Sequence, residues 1–194
     1  MKTDLIEVYH KTISKVHCDQ IIRYFEKDER IGQGLTGAGY TPSSKISTDL
    51  GCNFNDDFNF GLYNELLIRP LIAKKDEYIK KHPVMNDAPV FVLDERYNIQ
   101  RYKEGEGFFQ VHCEQCGEFP LRCLAWSLFL NDAECGTYFT HYDRTVQPKA
   151  GSLIIFPAFW THMHRGVVPN KGLKYIATGW WEYVPCKPVR PKGG

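Results

Sequence analysis

The feature that most constrains the fold is a change of composition at Val90. From there on, short runs rich in β-branched and aromatic residues alternate with Gly, Pro, Asn and Asp. Closely spaced runs of this kind are typical of an all-β sandwich or barrel, and about eight of them predict a jelly roll. The predicted strands are Val90–Leu93, Tyr97–Tyr102, Phe108–Cys113, Arg122–Leu130, Thr137–His141, Thr145–Gln147, Ser152–Phe156, Thr161–Gly166 and Lys174–Tyr183.

The chain before Val90 favours helices instead. Between Ser14 and Glu29, apolar residues are spaced among charged ones as in an amphipathic helix packed on a core; they are Val16, Ile21, Ile22 and Phe25. A second helix is predicted over Asn59–Lys81, with Leu62, Leu66 and Leu67 on one side. Pro70 is expected to kink or split this helix, because proline removes a backbone donor.

A glycine-rich segment separates the two predicted helices. Four glycines between Gly32 and Thr41, followed by Pro42, predict a flexible connection. A short strand is predicted over Lys45–Leu50. The position of Gly32–Gly61 ahead of the β-region favours a lid over a site.

Length and charge limit the remaining possibilities. A chain of 194 residues favours a single domain over residues 1–184, with a helical part at 1–88, a jelly-roll core at 89–184 and a loose tail at 185–194. The predicted class is α+β, mainly β with N-terminal helices. A net charge of +1, from 24 basic and 23 acidic residues, gives no indication of a nucleic-acid or membrane partner.

Export and membrane insertion are not indicated either. The first residues lack a signal-peptide pattern, and no apolar stretch approaches the ~18 residues of a membrane span. Seven cysteines, an odd number, favour reduced thiols without structural disulfides and a cytoplasmic location.

One histidine and one carboxylate form the first half of a candidate metal site. His112 and Glu114 stand two residues apart in a predicted strand and therefore project to the same side. His162 and His164, which also share a side, could supply a further imidazole. Two imidazoles and one carboxylate leave about three positions of an octahedral ion open, which is typical of non-heme Fe(II) oxygenases.

The last predicted strand adds a buried cation. Alternation places Lys174, Ile176, Thr178 and Trp180 on one face of this strand. A lysine that points into a small barrel needs an anionic partner, because an unpaired ammonium in an apolar interior is very costly. That partner is either a protein carboxylate or a carboxylate of a ligand.

The cysteines next to His112 permit another interpretation. Cys113 and Cys116 could provide two thiolates of a tetrahedral zinc site, with imidazoles as the other ligands. No second C-x-x-C motif accompanies them, and a closed zinc site leaves Lys174 without a role.

The residues from about Tyr97 to Tyr183 resemble the 2-oxoglutarate- and Fe(II)-dependent dioxygenases, in particular the prolyl 4-hydroxylase-like family. The matching positions are Tyr102, His112, Arg122, Leu130-Asn131, Gly136-Thr137-Tyr138-Phe139, His164-Arg165-Gly166 and Lys174. The departures are Glu114 in place of the usual aspartate, Phe129 in place of a tyrosine, a Cys135-Gly136-Thr137 turn shorter by one residue, and Pro169 one place late.

The resemblance implies a cupin-like double-stranded β-helix and a specific set of ligands. Iron is held by His112, Glu114 and His164, and 2-oxoglutarate chelates the iron. The far carboxylate of 2-oxoglutarate meets Lys174, with hydrogen bonds from Thr178 and Tyr102. The cofactors implied are Fe(II), 2-oxoglutarate as co-substrate and O₂, with ascorbate as an additional candidate.

The resemblance also implies the reaction, which is hydroxylation of an unactivated C–H bond with release of succinate and CO₂. The predicted substrate is a prolyl residue in a peptide or protein, with Arg165, Trp180 and His162 on the substrate side. A small molecule or nucleobase is the alternative within the superfamily. A non-catalytic metal-binding domain, such as a zinc domain, is the alternative outside it. The fold alone does not decide among these.

Overall fold

The structure, a computed structural model, describes residues 4–37, 39, 41–56 and 60–185. Its two helices are α1 (Lys15–Phe25) and α2 (Glu65–Lys81), and a π-helical turn at Phe60–Asn64 precedes α2. Single 3₁₀ turns lie at Pro83–Asp87, Thr140–Tyr142 and Trp160–His162. The strands are β1 (Glu7–Tyr9), β2 (Gly32–Gln33), β3 (Lys45–Ile46), β4 (Thr48–Asn53), β5 (Phe91–Tyr102), β6 (Gly107–Phe108), β7 (Arg122–Phe129), β8 (Thr137–Phe139), β9 (Arg144–Val146), β10 (Leu153–Pro157), β11 (His164–Gly166) and β12 (Lys174–Tyr183).

Two layers of antiparallel strands form the β-region. The larger sheet has the order β1-β10-β7-β12-β5-β4-β2, and a smaller sheet has the order β11-β8-β9. β3 pairs with β6, and an isolated bridge joins His112 to His164 at the margin of β11. This arrangement confirms the predicted double-stranded β-helix with N-terminal helices.

The larger sheet has a hydrophobic core on each face. One core lies between the sheet and the helices and contains Phe25, Leu67, Tyr97, Trp126 and Trp181 among others. The other lies inside the jelly roll and is formed by Ile6, Tyr102, Ala125, Phe129, Phe139, Val146, Ile154, Phe156, Ile176 and Trp180. Alternate residues of β12 therefore contribute to opposite cores, as strand geometry requires.

α1 begins where the sequence predicts it to begin. The Ser14 hydroxyl caps the helix by accepting the His17 N–H at 3.1 Å. The buried stripe is Cys18, Ile21 and Phe25. Val16, which the pattern assigned to the apolar face, is 68% exposed, because it lies off the stripe that these three residues define.

α2 is not split at Pro70. The helix runs without interruption from Glu65 to Lys81 with Pro70 in its interior. Proline removes one backbone hydrogen bond there. Leu67 and Leu71, on either side of Pro70, are buried against the sheet, and this packing holds the helix together. No described helix is both long enough and apolar enough to cross a membrane.

The β-region differs from the predicted runs in several places. The predicted strand Thr137–His141 ends in a 3₁₀ turn that begins at Thr140, and the predicted strand Thr161–Gly166 begins in a 3₁₀ turn that ends at His162. The predicted strands on either side of Asp94 are one twelve-residue strand, β5. The predicted strand Phe108–Cys113 is mostly wrong, because regular pairing ends at Phe108 and resumes only in the single bridge at His112.

Parts of three predictions lie outside the described residues, one of them only by Asn59, the first residue of the predicted second helix. In the predicted lid, Gly32–Gly61, residues 38, 40 and 57–59 are not described, and the rest forms β2, β3, β4, their connections and the start of the π-helical turn. Residues 186–194 of the predicted tail are not described either. Whether Gly32–Gly61 closes over a site stays a prediction.

Candidate metal centre

Three side chains converge at the margin of the smaller sheet. His112, Glu114 and His164 each offer one potential ligand atom, and these atoms all lie within 4.8 Å of one another. The convergence begins in the backbone, where each of the two histidines donates its N–H to the carbonyl of the other, at 2.9 and 2.8 Å. Glu114 is positioned by its N–H, which donates to the Ala158 carbonyl at 3.1 Å.

The tautomers of both imidazoles follow from their hydrogen bonds. His112 Nδ1 lies 2.8 Å from the carbonyl of Gln110, and His164 Nδ1 lies 2.9 Å from the carbonyl of His162. A carbonyl oxygen only accepts, so each Nδ1 carries a proton. In the neutral rings the Nε2 lone pairs therefore point into the cluster, as in metal-binding histidines.

Glu114 supplies the negative charge of the cluster. Its Oε1 lies 3.2 Å from His164 Nε2 and 3.7 Å from His112 Nε2. Burial raises the pKa of Glu114. Hydrogen bonds from the two imidazoles and their charge lower this pKa by more than burial raises it, so it lies well below the usual range. The carboxylate is therefore ionised, and its Oε1 faces the Nε2 atoms of both imidazoles. Such an arrangement needs a cation among these atoms, either a proton or a metal ion.

Aromatic rings fix the orientation of both imidazoles. Phe108 stacks on His112 with ring centroids 3.8 Å apart and an angle of 16° between the planes. Phe139 and Phe156 pack around His164 at centroid distances of 5.4 and 4.9 Å. A preorganised ligand set loses less conformational freedom when it binds an ion.

A small cavity is lined by the three residues of the cluster and by Lys174. The ammonium is buried and donates to the Gly136 carbonyl at 3.2 Å. Among the described residues, no carboxylate lies within 4 Å of it. Burial lowers the pKa of Lys174 to about 8, with a small opposing effect of Cys135. Within the described part of the chain, this ammonium is thus a buried cation without a protein anion to neutralise it.

Residues 97–182 match the family model of the 2OG-Fe(II) oxygenase superfamily. Over this segment, which is somewhat under half of the chain, the protein is similar to the 2OG-Fe(II) oxygenases. The family implies Fe(II), 2-oxoglutarate and O₂, and an oxidoreductase of the dioxygenase type. The donor set fits that metal, because two imidazoles and one carboxylate form the 2-His-1-carboxylate triad. No curated protein matches the chain.

Solved structures share the fold over nearly the whole chain. A viral collagen prolyl hydroxylase from Paramecium Bursaria Chlorella virus-1, in a 2OG complex, is 20% identical with a TM-score of 0.68, covering 93% of this chain and 97% of the viral one. A prolyl hydroxylase from Trichoplax adhaerens, in complex with a hypoxia inducible factor peptide fragment, is 13% identical with a TM-score of 0.70 and coverages of 93% and 84%. A Pseudomonas putida prolyl-4-hydroxylase is 13% identical with a TM-score of 0.66 and coverages of 93% and 94%.

Tyr102 and Thr178 line the cavity, but both hydroxyls already have partners. Tyr102 donates to Gln100 Oε1 at 2.8 Å. Thr178 donates to the Trp126 carbonyl at 2.9 Å, and its Oγ1 lies 3.2 Å from Ser127 Oγ. Gln100 and Ser127 also line the cavity, and the motif comparison missed both. Alternation along β7 could have indicated Ser127, which pairs directly with Thr178.

The residues predicted on the substrate side lie in different places. Trp180 lines the cavity and donates its indole N–H to Glu114. The His162 ring is buried next to the carbonyl of Asp4, with its Nε2 2.8 Å from that oxygen. Arg165 lies over the Tyr138 ring at 5.4 Å. Neither His162 nor Arg165 lines the cavity. His162 ends a 3₁₀ turn, where strand alternation does not apply. Arg165 lies in β11 between two residues that line the cavity, His164 and Gly166, and alternation directs it to the opposite side.

The two cysteines of the zinc interpretation stay apart from the cluster. Cys113 Sγ lies 3.0 Å from the Gln115 carbonyl, and Cys116 is exposed. Among the described residues, the metal-ligand group that forms is the His112, Glu114 and His164 cluster, without a thiolate. This geometry favours the oxygenase interpretation over a closed tetrahedral zinc site.

Proposed function

We propose that this protein is an Fe(II)- and 2-oxoglutarate-dependent hydroxylase that acts on a prolyl residue in a peptide or protein. His112, Glu114 and His164 hold the iron. The observation that carries the proposal is the convergence of two imidazoles and one carboxylate on a cavity that Lys174 also lines, where the ammonium has no carboxylate partner among the described residues.

Lys174 binds the far carboxylate of 2-oxoglutarate. Charge-assisted hydrogen bonds contribute roughly 1.5–3 kcal/mol each, and this ammonium has no competing carboxylate among the described residues. Ser127, Thr178 and Tyr102 surround the same cavity with hydroxyl groups. Ile176 supplies an apolar wall.

When bound, the iron and 2-oxoglutarate supply the oxidising chemistry that inserts one oxygen atom from O₂ into a C–H bond and yields succinate and CO₂. The chain contributes orientation and exclusion of water. The backbone bridge and Phe108 hold the His112 ring, and the carbonyl of His162 holds the tautomer of His164. Three protein ligands would leave about three positions of an octahedral iron open for the co-substrates.

A larger groove of about 900 Å³ adjoins the metal cluster and supports a peptide substrate. Gly51 lines the groove and leaves space there, because among the described residues only the Asn98 side chain lies within 4 Å of the position that a Cβ would take. Gln33, Asn98 and Gln110 line the groove with amides that can bond to peptide groups. One protein of the same fold is named as a prolyl hydroxylase bound to a peptide fragment.

Succinate release and mass spectrometry test the substrate. Proline-containing peptides are incubated with Fe(II), 2-oxoglutarate and the protein, alongside matched peptides in which alanine replaces the proline. The proposal predicts that the proline peptides gain one oxygen atom and raise succinate release above the background without substrate. If small metabolites or nucleobases raise it and no peptide does, the prolyl assignment is wrong although the oxygenase chemistry stands.

A pair of lysine variants tests the co-substrate site. Lys174→Ala should raise the 2-oxoglutarate requirement by at least about tenfold and leave metal affinity nearly unchanged. Lys171→Ala should change neither the 2-oxoglutarate requirement nor the metal affinity, because the side chain of Lys171 is 75% exposed. Equal effects, or a larger effect at Lys171, would place the carboxylate elsewhere.

A further inference from the structure

The two carboxylate oxygens of Glu114 have different partners. Oε1 faces the imidazoles of His112 and His164, whereas Oε2 accepts the indole N–H of Trp180 at 2.7 Å. This distance is short for an N–H···O bond, as is usual when the acceptor is charged. The indole therefore occupies one oxygen and leaves the other directed at the histidines.

Arg122 holds the indole and the backbone of Glu114 together. Its guanidinium lies 3.5 Å from the Trp180 ring centroid and 3.8 Å from that of Phe119, so it is stacked between the two rings. Its NH1 donates to the Glu114 carbonyl at 3.4 Å. Planar stacking of this kind requires arginine rather than lysine. Glu114 is thus held at its backbone by Arg122 and at its side chain by Trp180.

A glutamate at this position needs more restraint than an aspartate. The additional methylene adds one rotatable bond, so a free glutamate carboxylate samples more positions and loses more side-chain entropy when it is fixed. The indole N–H selects one of these positions before any ion binds.

Building on the proposed function, we propose that Trp180 is a positioning residue whose indole N–H fixes the Glu114 carboxylate and thereby allows a glutamate to complete the metal site, with Arg122 fixing the indole. The contact depends on the length of the side chain. An aspartate in place of Glu114 is shorter by one methylene and does not reach the indole and the histidines together. The contribution of Trp180 to metal affinity therefore disappears when Glu114 is shortened.

Mn²⁺ binding to four proteins, measured from the electron paramagnetic resonance signal of the free ion, tests this coupling. The proteins are the wild type, Trp180→Phe, Glu114→Asp and the double variant. Loss of a hydrogen-bond partner of a metal ligand typically costs 10- to 100-fold in metal affinity, and we expect about tenfold or more for Trp180→Phe. In the Glu114→Asp background, the same change should cost less than about threefold, since the interaction is already absent. Trp160→Phe, at a tryptophan that is 75% exposed, is the matched control.

The outcomes separate this inference from the proposed function. If the wild type does not bind Mn²⁺ at unit stoichiometry, the metal site itself is wrong and the inference falls with it. If the wild type binds and Trp180→Phe binds equally well, or the loss is the same in both backgrounds, the metal site stands and the positioning role is refuted.

Indole resonances give a readout that does not depend on the Trp180→Phe protein folding. The chain has four tryptophans, so four indole N–H signals are expected in a ¹⁵N spectrum. Glu114→Asp should shift the signal of Trp180, which Mn²⁺ broadens most strongly in the wild type. If none of the four signals moves in Glu114→Asp, the hydrogen bond and the positioning role are refuted.

Discussion

Replacing Lys174 with methionine is expected to make the protein more stable while weakening 2-oxoglutarate binding. The lysine is 3% exposed, and burial lowers its pKa from 10.5 to about 8. Since one pKa unit corresponds to about 1.4 kcal/mol, keeping this ammonium charged in the folded state costs about 3 kcal/mol at neutral pH. Methionine fills similar space without the charge. The variant loses the hydrogen bond to the Gly136 carbonyl, which costs about 1 kcal/mol of stability. The free energy of unfolding should therefore rise by about 2 kcal/mol in total.

The pH dependence of this gain identifies its cause. Because the pKa of Lys174 is lower in the folded state, the unfolded chain binds more protons between about pH 8 and pH 10.5. The destabilisation by the lysine is therefore complete below about pH 8 and is lost as the pH rises towards 10.5.

Urea denaturation near pH 7 and near pH 10 measures this difference in the free energy of unfolding. The advantage of Lys174→Met should be largest near neutral pH and should shrink at the higher pH. Lys171→Met is the control, because its exposed side chain should change stability little at either pH. A Lys174→Met protein that is less stable than the wild type, or an advantage that does not vary with pH, would refute the reasoning.

Three further outcomes follow from the same structure. The affinity of the Mn²⁺-loaded protein for 2-oxoglutarate should fall as the pH rises above about 8, because the pKa of Lys174 lies there; calorimetric titrations that show constant affinity to pH 9.5 would contradict this. Gly136→Ala should destabilise the fold by about 1–3 kcal/mol, because a Cβ at this position collides with the Val146 carbonyl; unchanged thermal unfolding would show that the turn has room. Cys113→Ser and Cys116→Ser should leave metal affinity within about threefold of the wild type, since neither thiol joins the cluster; a loss of bound metal in either variant would revive the thiolate site.

Strand alternation predicted the directions of the side chains correctly in β12, a long and regular strand. In β12, period-two alternation alone directs Lys174, Ile176 and Thr178 into the jelly roll, and the structure has this arrangement because β12 pairs on both sides over most of its length. Neighbours such as Tyr175 and Trp181 pack against the helices on the opposite face. Local geometry was sufficient here because two neighbouring strands enforce it.

Strand alternation was a poor guide where pairing is sparse. His112 lies in a single bridge rather than in a strand, and Glu114 is positioned by a hydrogen bond to Ala158, distant in sequence. Long-range contacts bring the two side chains together. The two-residue spacing predicted the correct result, although the strand alternation from which it was argued is absent here. His162 shows the opposite case, since its 3₁₀ turn sends the ring towards Asp4 and away from the cavity.

Contacts between distant residues lie beyond sequence reasoning altogether. The hydrogen bond from Trp180 to Glu114 joins positions 66 residues apart, and the stacking of Arg122 between Phe119 and Trp180 depends on a loop and two strands meeting. Pro70 inside α2 is a similar case, because packing of Leu67 and Leu71 outweighs a local preference against helix.

The most direct test of the central claim is the visible spectrum of the protein with Fe(II) and 2-oxoglutarate in the absence of oxygen. Chelation of a keto acid to iron held by His112, Glu114 and His164 predicts a weak charge-transfer band in the wild type. His112→Ala and Glu114→Ala should each abolish it, whereas Cys116→Ser should retain it. A band that survives in both ligand variants, or that never forms in the wild type, would contradict the proposed iron site.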